Sequence, residues 1–340
     1  MTERNVKLTS AEIASIWGAY INHTMDKCVL RYFLKDVEDV DIRIVIQHAY
    51  DLASENIEKI TGIFKKEQLP LPIGFTDEDV NMNAPRLYSD SFMLEYIGNL
   101  TKTALMAYSG FIATSARKDV RTHFIEGLTK IAKLYDKGTD ISLEKGLFVR
   151  PPFIPYPTKA EMVDSKKYFS GLNPFSDKRP LDAMEIGYLH MNIKTNQIGG
   201  KLALSFAQTS PLEEVQKWML RGRDITNKHI GTFTKLLLKN DIQVPAASDI
   251  AITDSTISPF SEKLKVFLLT ELCELGMGNY AIAAAASQRN DLFITYERLS
   301  LEIGRYAKSG ADIMIKNEWF EQPPGTLDKD KLARNKSQTR

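Results

Sequence analysis

A stretch of this chain occurs twice, and the two copies align without a gap. Residues 108–152 open on Y-S-G-F-I-A-T-S-A-R-K-D, continue as an amphipathic segment through G-T-D-I, and close on L-F-V-R-P-P. Residues 280–324 open on Y-A-I-A-A-A-A-S-Q-R-N-D, pass through G-A-D-I, and close on W-F-E-Q-P-P. A shift of 172 lays Tyr280 on Tyr108, Ser287 on Ser115, Arg289 on Arg117 and Asp291 on Asp119. It also lays Gly310 on Gly138, Asp312 on Asp140 and Pro323-Pro324 on Pro151-Pro152. A fixed period in a sequence means a duplicated structural unit, so both halves must fold alike.

Each half reads as four helices. Thr9-Ser10-Ala11-Glu12 is a capping box, in which the hydroxyl and the glutamate satisfy each other's backbone N–H groups. Ile13, Ile16, Trp17, Tyr20, Thr24 and Cys28 then recur at the spacing of one helical face. Adding 173 takes Thr9 to Asp182 and Glu12 to Glu185, a second box. A second helix carries Ile42, Ile46, Ala49, Ala53, Asn56, Ile60 and Phe64 on one side. Its counterpart is expected to start at Ser210-Pro211-Leu212-Glu213, with proline at the first helical position, and to continue through Val215, Met219, His229 and Phe233. Both second helices stop before proline, at Pro70 and Pro245, and a long polar connection follows each. The repeat offset changes from 173 to 172 there, so the one insertion or deletion falls in a loop or at a helix end. The third helices are expected between Ser89 and Ser115 and between Ser261 and Ser287, and the fourth after the S-A-R-K-D and S-Q-R-N-D turns. Gly138 and Gly310 are expected to mark a bend or an early end of the fourth helix.

Two short turns and one long second-to-third crossover per half define the ferritin-like bundle topology. The expected fold is therefore all-α: two tandem ferritin-like four-helix bundles over 1–149 and 181–325. Between them, residues 150–180 hold six of the fourteen prolines and read as a linker with separate cores on either side. Its aromatics, Phe153, Tyr156, Tyr168 and Phe175, suggest packing on a domain surface. The polar tail 326–340 is expected to be disordered.

Composition narrows the function classes. With 44 basic and 43 acidic residues, there is no electrostatic reason to expect nucleic acid or an anionic membrane as a partner. Cys28 and Cys273 occupy non-equivalent positions and read as two thiols of a reducing compartment. The most apolar run, 266–286, contains Glu271, Glu274 and Asn279, which suits a bundle interior and not a membrane span. The N-terminus lacks the apolar core of a signal peptide. The expectation is a cytoplasmic protein, at least when made, with protein partners or self-association as the remaining partner classes.

The second copy resembles a family of spore-forming Firmicutes, domain of unknown function 3231, which occurs as a tandem pair. The resembling stretches are K-H-I (228–230), I-T-D-S-T-I-S-P-F-S-E-K-L (252–264), L-G-M-G-N-Y (275–280) and A-D-I-M-I-K-N-E-W-F-E-Q-P-P (311–324). The resemblance implies a ferritin-like fold and, from a spore coat label on some relatives, the spore as a destination. It implies no activity for any residue.

Ferritin-like carboxylate proteins hold two metals with paired Glu and Glu-x-x-His motifs. The residues three before His23, His48, His123, His190 and His229 are Tyr20, Val45, Val120, Gly187 and Thr226, so that motif does not occur. His123-x-x-Glu126 has Thr295 and Arg298 as its counterparts in the second copy. Glu12 and Glu185 repeat, but as cap residues, and no metal or other cofactor is expected. The remaining constellation is Gln197, His229 and Tyr280, placed on inward stripes of the first three helices of the second copy. Thr24, Asn56 and Tyr108 occupy those places in the first. They read as a hydrogen-bonded core network, with a ligand site as the sharper alternative. Arg117/Asp119 and Arg289/Asp291 read as helix caps with a local ion pair. No phosphate loop, zinc-finger spacing or nucleophile elbow is present. The chain thus reads as a structural or interaction protein and not an enzyme. The alternative is a ferritin-like enzyme or metal-handling protein with atypical ligands.

Overall fold

A computed structural model of the protein describes residues 6–172, 178–244 and 251–336. The first copy comprises α1 (Ser10–Asp36), α2 (Val40–Lys66), α3 (Asp90–Thr114) and α4 (Lys118–Glu144). The second comprises α5 (Ala183–Thr209), α6 (Glu213–Leu238), α7 (Glu262–Ala286) and α8 (Asn290–Lys316), followed by α9 (Lys329–Lys336). The 173 shift carries α1 onto α5, and the 172 shift carries α3 onto α7 and α4 onto α8, residue for residue. Tyr108 and Tyr280 therefore hold one helix position, as do Gly138 and Gly310.

The helix ends fix the direction of each helix. Both capping boxes form, Thr9 with Glu12 and Asp182 with Glu185. Glu12 also accepts the Arg117 N–H at the start of α4 (2.6 Å), and Arg117 pairs with Glu67 at the end of α2 (2.7 Å). At the other end, Asp90 at the start of α3 accepts the Asp39 N–H (2.7 Å), and Lys145 beyond α4 pairs with Asp39 (2.8 Å). So α2 and α3 run the same way, and the 67–89 connection climbs the whole bundle.

That climb brings the two copies together. Val80 bridges Phe260 and Tyr88 bridges Ile252, both antiparallel. Under the 172 shift Phe260 is the counterpart of Tyr88 and Ile252 of Val80. Each bridge is thus the other's mate about a pseudo-twofold axis, the self-complementary pattern of a symmetric dimer. Backbone bonds from Asn81 N to Pro259 O (2.8 Å), Ser261 N to Asp79 O (3.0 Å), Ser89 N to Ala251 O (3.1 Å) and Thr253 N to Leu87 O (2.9 Å) complete the ribbon. Phe260 lies edge-on to Tyr32 and to Phe206, Phe75 packs on Phe267, and the Tyr88 hydroxyl bonds Ser205 (2.8 Å).

Several expectations need correction. Buried residues of both copies form one continuous cluster, not two separate cores, because the paired crossovers carry aromatic rings from each copy into the other. Gly138 and Gly310 lie inside unbroken helices. Gly310 is a close-approach position, since a Cβ there would lie 2.4 Å from the Trp218 ring. α6 starts at Glu213, with Leu212 as its uncapped N-cap, because the Ser210 hydroxyl bonds Glu262 instead (2.5 Å). Phe153 and Tyr156 do not pack down: they are 89% and 92% exposed. Tyr168 does, beneath the Arg179 guanidinium (4.1 Å). Part of the tail is helical, as α9. Pro245 and Phe175 lie outside the described residues.

Candidate functional site

The centre of the second bundle is a chain of polar groups running outward. The Asn196 amide of α5 donates to the Tyr280 hydroxyl of α7 (2.8 Å) and to Asn192 O (2.7 Å). Tyr280 also contacts His229 Nδ1 of α6 (3.0 Å), while His229 Nε2 faces Glu302 of α8 (3.2 Å). A carboxylate only accepts, so Nε2 carries the proton and Nδ1 accepts from the tyrosine. Lys228 closes the chain on Glu302 at the surface (2.7 Å). Burial outweighs Glu302 and holds His229 below the usual histidine range, so the ring is neutral. Asn196, Tyr280 and His229 are all buried and mutually satisfied, which fixes one tautomer and one register of four helices.

The structure brings His229 and Tyr280 of the sequence constellation into contact, and adds two members, Asn196 and Glu302, that the sequence reading did not include. Asn196 is the α5 residue bonded to Tyr280; Gln197, the next residue, is half-buried and has an interaction of its own. The signal was present: Leu189, Ile193 and Asn196 share a face at helical spacing, one residue out of phase with the stripe chosen. Glu302 is visible only once α8 is seen beside α6.

The first copy repeats the pattern with its parts exchanged. Under the 173 shift Asn196 becomes His23, and its Nε2 bonds the Tyr108 hydroxyl (2.7 Å). Gly127 makes room for that tyrosine: a Cβ there would lie 2.4 Å from its ring. Asn56 stands at the place of His229, buried, with an amide nitrogen that has no hydrogen-bond partner. Thr24 does not join them. Its hydroxyl donates to Ile21 O (2.7 Å) and accepts the Phe75 N–H (3.1 Å), pinning the crossover to α1. The surface pair also inverts: Glu55 with Lys130 (2.6 Å) in the first copy answers Lys228 with Glu302 in the second. A reversal of both charges preserves the contact between second and fourth helices, so the pair serves helix association and not one particular ligand.

Arg117 and Arg289 stand at the N-cap positions of α4 and α8, where their side chains make no capping bond and form the expected local ion pairs instead. Arg117 and Arg289 each fork onto the aspartate two residues on (2.6 and 2.8 Å). Glu185 is fully buried and accepts from Gln288 N (3.1 Å), Arg289 N (3.0 Å) and Arg179 (2.8 Å). Among the described residues no group of three or more His, Cys, Asp or Glu could hold a metal ion. Among them too, no helix is long and apolar enough to cross a membrane.

The geometry defines an all-α protein of two tandem four-helix bundles, each with a polar network set in an apolar core. The chain belongs to the family described as protein of unknown function (DUF3231), whose profile matches residues 1–160 and again 169–332. A solved structure from Bacillus halodurans C-125, provisionally described as a spore coat protein, is 19% identical; the match covers 45% of this chain and 99% of that one, with a TM-score of 0.41. None of the curated proteins compared with this chain matches it.

Proposed function

We propose that this chain is a structural or interaction protein: a duplicated ferritin-like domain whose proline-rich connection docks a protein partner. The parallel second and third helices with one long crossover support the ferritin-like assignment. The observation that carries the function is the state of the connection. Prolines 151, 152, 155 and 157 hold it extended, and Phe153, Tyr156 and Met162 stand 89%, 92% and 96% exposed. Apolar side chains on an extended proline-rich segment are the form in which such segments enter aromatic-lined grooves. The interlocked bundles behind it supply a rigid support. The spore coat label on relatives makes the sporulating cell the place to look for that partner.

The test is a photo-crosslinking amino acid at Tyr156 in cells, against the same group at the exposed surface position Glu58. A discrete adduct at 156, with another protein or a second copy, supports the reading. Labelling at 156 no greater than at 58 overturns it.

A further inference from the structure

A cavity of about 100 Å³ lies between α1 and α3 of the first copy and α7 of the second. One wall is apolar, with Leu268, Leu272 and Leu275 of α7. The cavity's polar lining includes Asn22 and Asp26 of α1, Tyr96 of α3 and, on α7 beside the leucines, Glu271. Asp26 is 6% exposed and its Oδ1 has no hydrogen-bond partner; Tyr96 is 3% exposed and its hydroxyl has none. Two buried polar atoms without partners in one cavity are costly, and both line the space a ligand would occupy.

No cation among the lining residues balances the acids. His23 of α1 approaches Asp26 at 3.9 Å, but burial, and then His123 of α4, pushes it down to about 3, so it is neutral. Tyr108 of α3 engages its other nitrogen. Glu271 has the Asn22 amide beside it, with the like charge of Glu274 behind. Burial, and then Glu271, pushes Asp26 up to about 8. Burial, and then Glu274, pushes Glu271 up to about 7. The fold itself does not require these groups. Across the pseudo-twofold axis Gly199 stands for Asp26, Asn99 for Glu271 and Leu268 for Tyr96.

Among the described residues no group of three or more His, Cys, Asp or Glu could hold a metal ion, at this cavity or elsewhere. A primary ammonium needs about three acceptors and an apolar place for its stem. We propose that this cavity binds a short primary alkylammonium, its nitrogen among Asp26, Glu271 and the Tyr96 hydroxyl and its stem against the α7 leucines. Binding draws both carboxyls into the charged form and so releases protons at neutral pH.

The experiment is calorimetric titration of the full chain with n-butylammonium chloride at pH 7, in two buffers of different ionisation enthalpy. Saturable binding with net proton release is expected, weakened at least tenfold in Asp26→Asn and in Glu271→Gln, and absent for n-butanol. Both substitutions keep the shape of the protonated acid, and the two-buffer measurement on the unmutated chain needs neither of them. Absence of saturable binding, binding without proton release, an affinity in either variant equal to that of the unmutated chain, or occupancy by magnesium or manganese but not the amine would each overturn the proposal.

Discussion

Replacing Asp26 by Asn should stabilise the protein, and by more as the pH rises. Its carboxyl titrates near 8 when folded, against the ordinary 3.8, because burial and Glu271 oppose its charge. The folded chain therefore keeps a proton that the unfolded chain gives up. The stability Asp26 contributes is complete below pH 4 and is lost as the pH climbs through 8. Each unit of that shift is worth about 1.4 kcal/mol. Asparagine fills the same space and does not ionise. Urea unfolding of both proteins, without amines, should then show a gap in the variant's favour that widens by on the order of 4 kcal/mol between pH 4.5 and 7.5. Glu271 titrates in both proteins and cancels to first order. A gap that stays constant with pH would refute the reasoning, because Asp26 would then ionise like a surface aspartate.

Five further substitutions test other parts of the account by equilibrium unfolding. Gly138→Ala meets Val45 at an ordinary contact distance of 3.6 Å and should stabilise by about 0.8–1 kcal/mol, whereas Gly310→Ala meets Trp218 at 2.4 Å and should destabilise by about 1–2 kcal/mol net. Glu185→Gln should cost about 1.5–3 kcal/mol at pH 7. Burial pushes the Glu185 carboxyl up, but Arg179 and the Asp182 and Arg289 N–H groups hold it below the usual range. That stability is present above about pH 4.5 and lost as the pH falls through the folded value, so the cost should shrink in acid. Tyr280→Phe strands one Asn196 amide hydrogen and His229 Nδ1 and should cost about 1–3 kcal/mol, more than Tyr108→Phe, which frees one nitrogen of His23.

Much of the fold was legible because it rests on local signals. The cap boxes at Thr9 and Asp182, the serines before α3 and α7, and the ungapped repeat place helix ends to the residue. What the repeat could not show is how the copies meet. The Val80–Phe260 and Tyr88–Ile252 bridges join irregular segments far apart in sequence, where no periodicity marks a partner. The same limit hid the candidate sites. His229 and Tyr280 lie on strong stripes, but α5 is buried on several sides, so its pattern does not single out Asn196 over Gln197. Val45 against Gly138 and Trp218 against Gly310 are one contact at two sizes, which the glycines alone do not reveal. Asp26 and Glu271 sit on different copies and meet only through the pseudo-twofold packing.

That packing is the central claim, and hydrogen exchange read residue by residue tests it directly. The Asn81, Ser89, Thr253 and Ser261 amides lie in connections between helices, yet each donates to the other copy's backbone. They should exchange as slowly as the amides of α3 and α7, through opening of the whole body. Exchange of these four amides at the rate of the exposed 150–165 segment would show that the crossovers are free and that the two bundles stand apart.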